Sequence, residues 1–210
     1  MGWHSRGYLP HFDGSGMLQF ITFRLEDAVP ANLVTRWKAE LNRGDDAPNE
    51  VERVRALHRC IERYSDSGMG DCLLADPRAA QIVRDALLHF DGIRYRLLAW
   101  TIMPNHVHVL IETGKNAAAT ATSDIQTIPD VHFYPLATLV HSWKSFTAKK
   151  INNALQRRGS VWMVDYFDRY IRDDEHYQKV LSYIHRNPVI AGLCDQPRDW
   201  PWSSAASSRR

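Results

Sequence analysis

"TIMPNHVHVLIE", residues 101–112, sets two histidines two positions apart inside an apolar run. The segment leading into it, "IRYRLLAWTI" (93–102), reads as a strand. Pro104 and Asn105 punctuate the run, and "HVHVLIE" (106–112) begins a second strand. Alternate side chains of a strand share a face. Val107, Val109 and Ile111 therefore point one way, towards helices. His106, His108, Leu110 and Glu112 point the other. Two imidazoles on one face are within reach of a single ion, and imidazole is the commonest protein metal ligand at neutral pH. A bare His-x-His also arises often by chance. Two features weigh against chance here: the pair follows a rigid strand–turn–strand corner, and partly buried histidines require hydrogen-bond partners or a metal. Two ligands do not fill a coordination shell. No cysteine or carboxylate pairs with them by local spacing, so the residues alone leave the third ligand open.

Working outwards, "LQFITFRL" (18–25) is a further strand. Pro30 opens a helical pattern that breaks at "RGDDAPNE" (43–50), and a second helix is expected over residues 50–64. A third follows in "DPRAAQIVRDALLHFDG" (76–92), with Asp76 as N-cap, Pro77 in the first turn and Gly92 past the end. Residues 114–130, small and polar, read as a mobile loop. The stretch 136–159 is a long amphipathic helix with Leu139, Val140, Trp143, Phe146, Ile151 and Leu155 at helical spacing. "VWMVDYFDRYIR" (161–172) reads as an edge strand or irregular segment. "DDEHYQKVLSYIHRN" (173–187) is a last helix, capped by Asp173 or Asp174 and ended by Pro188. The order points to an α+β fold, a ferredoxin-like (RRM-like) split-βαβ sandwich with a central antiparallel sheet and helices on one face. Three parts are expected: an N-terminal arm (1–15), a main domain (16–193) and a partly disordered C-terminal tail (194–210).

The 210 residues are ample for one ordinary core. No apolar run reaches membrane-spanning length, and the start lacks the apolar core of a signal peptide. Cys60, Cys72 and Cys194 form neither a disulfide framework nor a zinc pattern, so a reducing cytoplasm is expected. A net charge of +2 does not by itself imply nucleic acid, but its distribution is uneven. Between Thr138 and Gly159 there is no acidic residue, while Lys144, Lys149, Lys150, Arg157 and Arg158 all occur. Such a face is ordinarily just solvated, and matters only if a site lies beside it.

In the last helix the apolar stripe is Tyr177, Val180, Leu181 and Ile184. Tyr183 falls at its margin, with His176, Lys179 and Asn187 on the same side. Periodicity makes Tyr183 an amphipathic anchor at least as readily as a cleft residue. A resemblance separates the two. "GYLPHFDGSGMLQFITFRL" (7–25), "MPNHVHVLIE" (103–112), "VWMVDYFDRYIRD" (161–173) and "YIHRNPVIAGL" (183–193) resemble, in order, blocks of the REP-associated tyrosine transposases. These are bacterial relatives of the single-tyrosine insertion-sequence transposases, in the histidine–hydrophobic–histidine (HUH) nuclease superfamily. The likeness runs from about residue 7 to 193, and leaves residues 45–75 and 114–130 without a counterpart.

That resemblance implies a bacterial, nucleoid-associated enzyme that cleaves and rejoins single-stranded DNA at hairpin-forming palindromic repeats. Tyr183 would be the nucleophile, leaving a 5′-phosphotyrosine and a free 3′-hydroxyl without a nucleotide cofactor. His106 and His108 would bind Mg²⁺ or Mn²⁺, with Asn187 as third ligand where insertion-sequence relatives more often carry Gln. This set is uncharged, so the ion's full charge would face the phosphate. Tyr166 and Tyr170 are rival tyrosines, read as structural or DNA-contacting. Arg172 would make a phosphate or structural contact, Lys179 would favour the phenolate, and the basic helix face would follow the DNA backbone. No residue presents itself as a dedicated base. Trp3, His4, Tyr8, His11, Trp200 and Trp202 are candidates for stacking on unpaired bases. The protein would act as a monomer or a homodimer. A hairpin-binding protein that does not cut is the alternative from another class. A rolling-circle replication initiator often carries a second tyrosine one turn away, where this chain has Lys179 and Asn187.

Overall fold

The computed structural model describes residues 2–5, 10–13, 16–43, 49–114 and 134–207. Two short strands, β1 (Gly2–Ser5) and β2 (Pro10–Asp13), pair as an N-terminal hairpin. The main sheet has four strands: β3 (Leu18–Arg24), β4 (Tyr95–Ile102), β5 (His106–Thr113) and β6 (Phe167–Tyr170). Their order is β4-β5-β3-β6, with every pair antiparallel. Helices α1 (Ala31–Leu41), α2 (Glu50–Asp66) and α3 (Pro77–His89) link β3 to β4, and α4 (Leu136–Ala154) links β5 to β6. This is the split-βαβ arrangement expected from the element order. No helix among the described residues is long and apolar enough to cross a membrane.

Local chemistry accounts for the helix starts. Asn49 and Glu52 form a reciprocal capping box at α2, and the Asp76 side chain accepts from Arg78 N–H with Pro77 in the first turn of α3. Val107, Val109 and Ile111 of β5 pack with Ile21 and Phe23 of β3 against α3 and α4, through Val83, Leu87, Leu139, Val140 and Trp143. Trp143 Nε1–H donates to the buried Tyr95 hydroxyl at 3.0 Å, which in turn donates to Leu87 O. Phe146 is exposed, and Thr147 takes the buried place on α4 instead.

The helices divide between two faces. The final helix α5 (Asp174–Ile190) covers the opposite side of the sheet, where Val180 and Ile184 meet Phe20, Ala99 and Leu110. Asp173 caps it. Pro188 does not end it. One missing N–H in the last turn costs a single hydrogen bond, and the turn closes instead through Ala191 N–H to Asn187 O, before Gly192 at φ +71°.

The tail also differs from expectation. Ser203 bridges Thr101, Ile102 N–H donates to Trp202 O at 2.8 Å, and Trp200 Nε1–H donates to Ile102 O at 3.0 Å. Ser204 Oγ accepts from Trp100 N–H at 3.0 Å, ahead of a short helix α6 (Ser204–Ser207). Unpaired polar groups on β4 supply the partners that order this segment. Removing residues 194–210 should therefore lower stability by roughly 3 kcal/mol or more and the thermal midpoint by about 6–12 °C. An unchanged midpoint in a melting experiment would show the tail to be dispensable.

Candidate metal and tyrosine site

β3 and β5 set one wall of the site. Their register pairs Arg24 with His106, Thr22 with His108 and Phe20 with Leu110, all on the α5 face. His106 Nε2 and His108 Nε2 lie 3.0 Å apart, both residues being fully buried. Each ring is oriented from its far side. Asn105 uses its amide N–H groups on Ser65 O (3.0 Å) and Met69 O (2.8 Å), so its Oδ1 accepts from His106 Nδ1 at 2.7 Å. That fixes the lone pair of His106 on Nε2. Thr22 Oγ1, 2.8 Å from His108 Nδ1, can accept in the same way.

α2 and α5 supply the other walls, by an i, i+4 pair from each. Tyr183 O–H donates to Glu62 Oε2 at 2.6 Å, and Asn187 Nδ2 lies 3.4 Å from Asp66 Oδ1. Tyr183 Oη is 3.5 Å from His108 Nε2, and Asp66 Oδ1 is 3.4 Å from His106 Nε2. Phe20 stands behind, stacked on His108 at 5.6 Å and edge-on to Tyr183 at 6.0 Å. Arg24 donates to Glu62 Oε1 and, at 3.0 Å, to Ser65 Oγ. His58 Nε2 sits 3.4 Å from the same Glu62 oxygen, its ring stacked on Phe167.

Burial dominates the electrostatics. It lowers both histidines, His108 to about 4 and His106 well below its usual range, with Arg24 reinforcing the effect. Both rings are thus neutral and have free lone pairs at pH 7. Burial, then the charge of Glu62, raises Asp66 to about 6 against the Asn187 hydrogen bond. Burial alone would raise Glu62, but His58, Arg24 and His108 outweigh it and hold that carboxyl well below its usual value. Burial and the two carboxylates raise the Tyr183 phenol, which is therefore protonated at rest.

The residues fit a divalent ion. Ligand atoms of Asp66, His106 and His108 lie within 4.8 Å of one another. The 3.0 Å between the two Nε2 atoms suits adjacent ligands with bonds of about 2.1 Å. Asn187 Oδ1 is buried and lacks a hydrogen-bond partner, so a coordination bond would satisfy it. The sequence reading missed Asp66, and with it the negative charge of the set. It also missed Glu62, Arg24 and Asn105. A legible trace exists: His58, Glu62 and Asp66 form a four-residue stripe beside the apolar positions Leu57 and Ile61.

The remaining sequence candidates lie elsewhere. Tyr170 pairs with Gln19 in β6, on the face turned away from the histidines, and Tyr166 packs against the main core. Lys179 is exposed and ion-paired to Glu175 at 2.6 Å, and Arg172 is exposed at the start of α5. α4 packs on the far side of the sheet, so Lys149 and Lys150 are separated from the histidine pair by the sheet, and Arg157 and Arg158 follow the end of α4, just before Gly159. Lys144 donates to Val164 O at 2.7 Å. Trp200 and Trp202 are held against β4. Trp3, His4 and His11 fall on the N-terminal hairpin, where only the backbone is described, and Tyr8 and residues 115–130 lie outside the described residues.

The lowered histidines carry a pH signature. The unfolded chain takes up their protons first, so their contribution to stability is complete above pH 6.5 and is lost as pH falls towards 4. Asp66, raised, works in the opposite sense. In metal-free buffer, wild type should lose stability relative to His108→Gln over that window, by roughly 3 kcal/mol at full extent. Parallel denaturant midpoints for the two proteins would refute this.

No protein-family model matches the chain. Over 115 residues it is 28% identical to a provisionally named REP-associated tyrosine transposase of Haemophilus influenzae, covering 52% of this chain and 58% of that protein. Over 128 residues it is 24% identical to a REP-associated tyrosine transposase of Escherichia coli, covering 59% of this chain and 63% of that protein. The matches thus span about three fifths of each relative. A solved structure described as a REP-associated tyrosine transposase bound to a REP hairpin aligns with 99% of this chain and 84% of its own, at TM-score 0.48 and 17% identity. Over a little more than half of its length the chain is thus similar in sequence to REP-associated tyrosine transposases.

Proposed function

We propose that this protein is a transposase that cleaves and rejoins single-stranded DNA at hairpin-forming palindromic repeats, with Tyr183 as the nucleophile. The observation that carries the reading is convergence: Tyr183 Oη lies 3.5 Å from His108 Nε2, which is 3.0 Å from His106 Nε2. Neither Tyr166 nor Tyr170 makes such an approach. The attack forms a bond from Tyr183 Oη to phosphorus and releases a 3′-hydroxyl, conserving the phosphodiester energy in the tyrosyl ester.

His106, His108 and Asp66, with Asn187 Oδ1 beside them, are the residues to hold a divalent ion. Bound there, a dication would supply positive charge for the developing phosphate transition state. Two nitrogens and at least one oxygen favour Mn²⁺ over Mg²⁺ in intrinsic affinity, with cellular abundance favouring Mg²⁺. The chain's own part is orientation. Asn105 and Thr22 aim the imidazoles, and Phe20 with the body of α5 keeps the phenol in one place.

Incubation with a labelled hairpin oligonucleotide bearing a single-stranded foot, with Mn²⁺ or Mg²⁺, should give a denaturant-resistant protein–DNA adduct. Tyr183→Phe and chelation should abolish it; Tyr166→Phe and Tyr170→Phe should retain it. An adduct that persists in Tyr183→Phe would mean another nucleophile. Hairpin binding without any adduct would make the protein a reader of such repeats. Separately, Asp66→Asn should weaken Mn²⁺ binding by about tenfold or more, measured by titration without DNA; unchanged affinity would remove Asp66 from the ligand set.

A further inference from the structure

The phenol of Tyr183 makes one short hydrogen bond, 2.6 Å, to Glu62 Oε2. We propose that Glu62 is the catalytic base of strand cleavage, its Oε2 taking the phenol proton as Tyr183 Oη attacks phosphorus. The proposal rests on the function assigned above and completes it.

Geometry supports it first, since 2.6 Å is within the reach a general base needs. The second support is the division of labour within the carboxylate. Oε1 faces Arg24 and lies 3.4 Å from His58 Nε2, so that oxygen is occupied and Oε2 is turned to the phenol. Arg24 is itself fixed by Ser65 Oγ at 3.0 Å. The third support is the lack of rivals among the described residues. His108 Nε2, at 3.5 Å, belongs to the metal-ligating pair; Asp66 lies against Asn187; Lys179 is at the surface on Glu175.

The step balances without an oxidant, reductant or nucleotide. The Tyr183 O–H bond breaks and its proton passes to Glu62 Oε2. The phenolic oxygen forms the bond to phosphorus. The bond from phosphorus to the 3′-oxygen breaks, its electron pair stays on that oxygen, and the oxygen takes a proton from water. Rejoining runs the sequence backwards, with Glu62 returning a proton to the departing phenolate. Arg24 is a positioning residue here. Its charge keeps the resting Glu62 ionised, so that Oε2 accepts from the phenol before attack.

The test uses single-turnover adduct formation by the full chain on the hairpin oligonucleotide with Mn²⁺. Glu62→Gln should slow adduct formation about 100-fold or more. Hairpin affinity, and Mn²⁺ affinity of the DNA-free protein, should stay within about threefold of wild type. A more acidic, fluorinated tyrosine inserted at position 183 should shrink the Glu62→Gln defect, which a purely structural role for Glu62 would not allow. Should Glu62→Gln leave Arg24 unpaired and fail to fold, Glu62→Asp keeps the charge while withdrawing it by one methylene, and should be about tenfold slower. A folded Glu62→Gln or Glu62→Asp protein that forms adduct at the wild-type rate overturns the proposal. So does a Glu62→Gln defect that fluorination leaves untouched. A wild-type protein that forms no adduct overturns the function assigned above instead.

Discussion

A carboxylate shut away from water must be answered by positive charge, and in this fold Arg24 answers Glu62. The pairing dictates more than its own stability. Arg24 sits at the end of β3 directly across from His106, so the ion pair ties the helix that carries Glu62 to the strand pair that carries the histidines. Once Glu62 is held there, Asp66 follows one turn later beside His106, and the paired residues of α5 find Tyr183 over one carboxylate and Asn187 over the other. Two helices with the same four-residue spacing thus meet across a pair of imidazoles. The chemistry of the site depends on that match of spacing.

The charge of the cluster changes what a bound cation would experience. Two neutral imidazoles and an amide would leave a dication's charge uncancelled. Asp66 offsets part of it, and Glu62 and Arg24 nearby largely cancel each other. Asp66 would raise a dication's affinity in exchange for some polarising strength at a phosphate. Burial, then the charges of Glu62 and Asp66, keeps the phenol protonated at rest. In the proposed reaction, activation of Tyr183 would therefore fall to the assembled site, with cation and substrate present.

Much of this was legible in the sequence because it is local. The alternation in "HVHVLIE" and the corner at Pro104 and Asn105 fix which residues share a face. The cap and proline at Asp76 and Pro77 mark a helix start without any tertiary knowledge. What was missed is tertiary. Glu62 and Asp66 lie on a helix whose apolar stripe faces the main core, so periodicity alone reads them as surface residues next to that stripe. Only the path of α2 past the end of β3 turns them inwards. Arg24 closes a strand of bulky residues, and its partner is 38 positions away. Phe146 and Pro188 show the limits of local rules in the other direction: a helical apolar spacing left one ring exposed, and a helix breaker too near the end broke little.

The C-terminal segment has a further consequence for how copies of the chain can meet. β4 is an outer strand of the main sheet, and such a strand offers unpaired N–H and C=O groups to any neighbouring chain. Here Trp200, Trp202 and Ser204 already occupy the polar groups of Trp100 and Ile102. The opposite rim is only the four residues of β6. That stretch of β4 is therefore closed to strand recruitment from another molecule, which guards a sheet of this kind against edge-to-edge polymerisation.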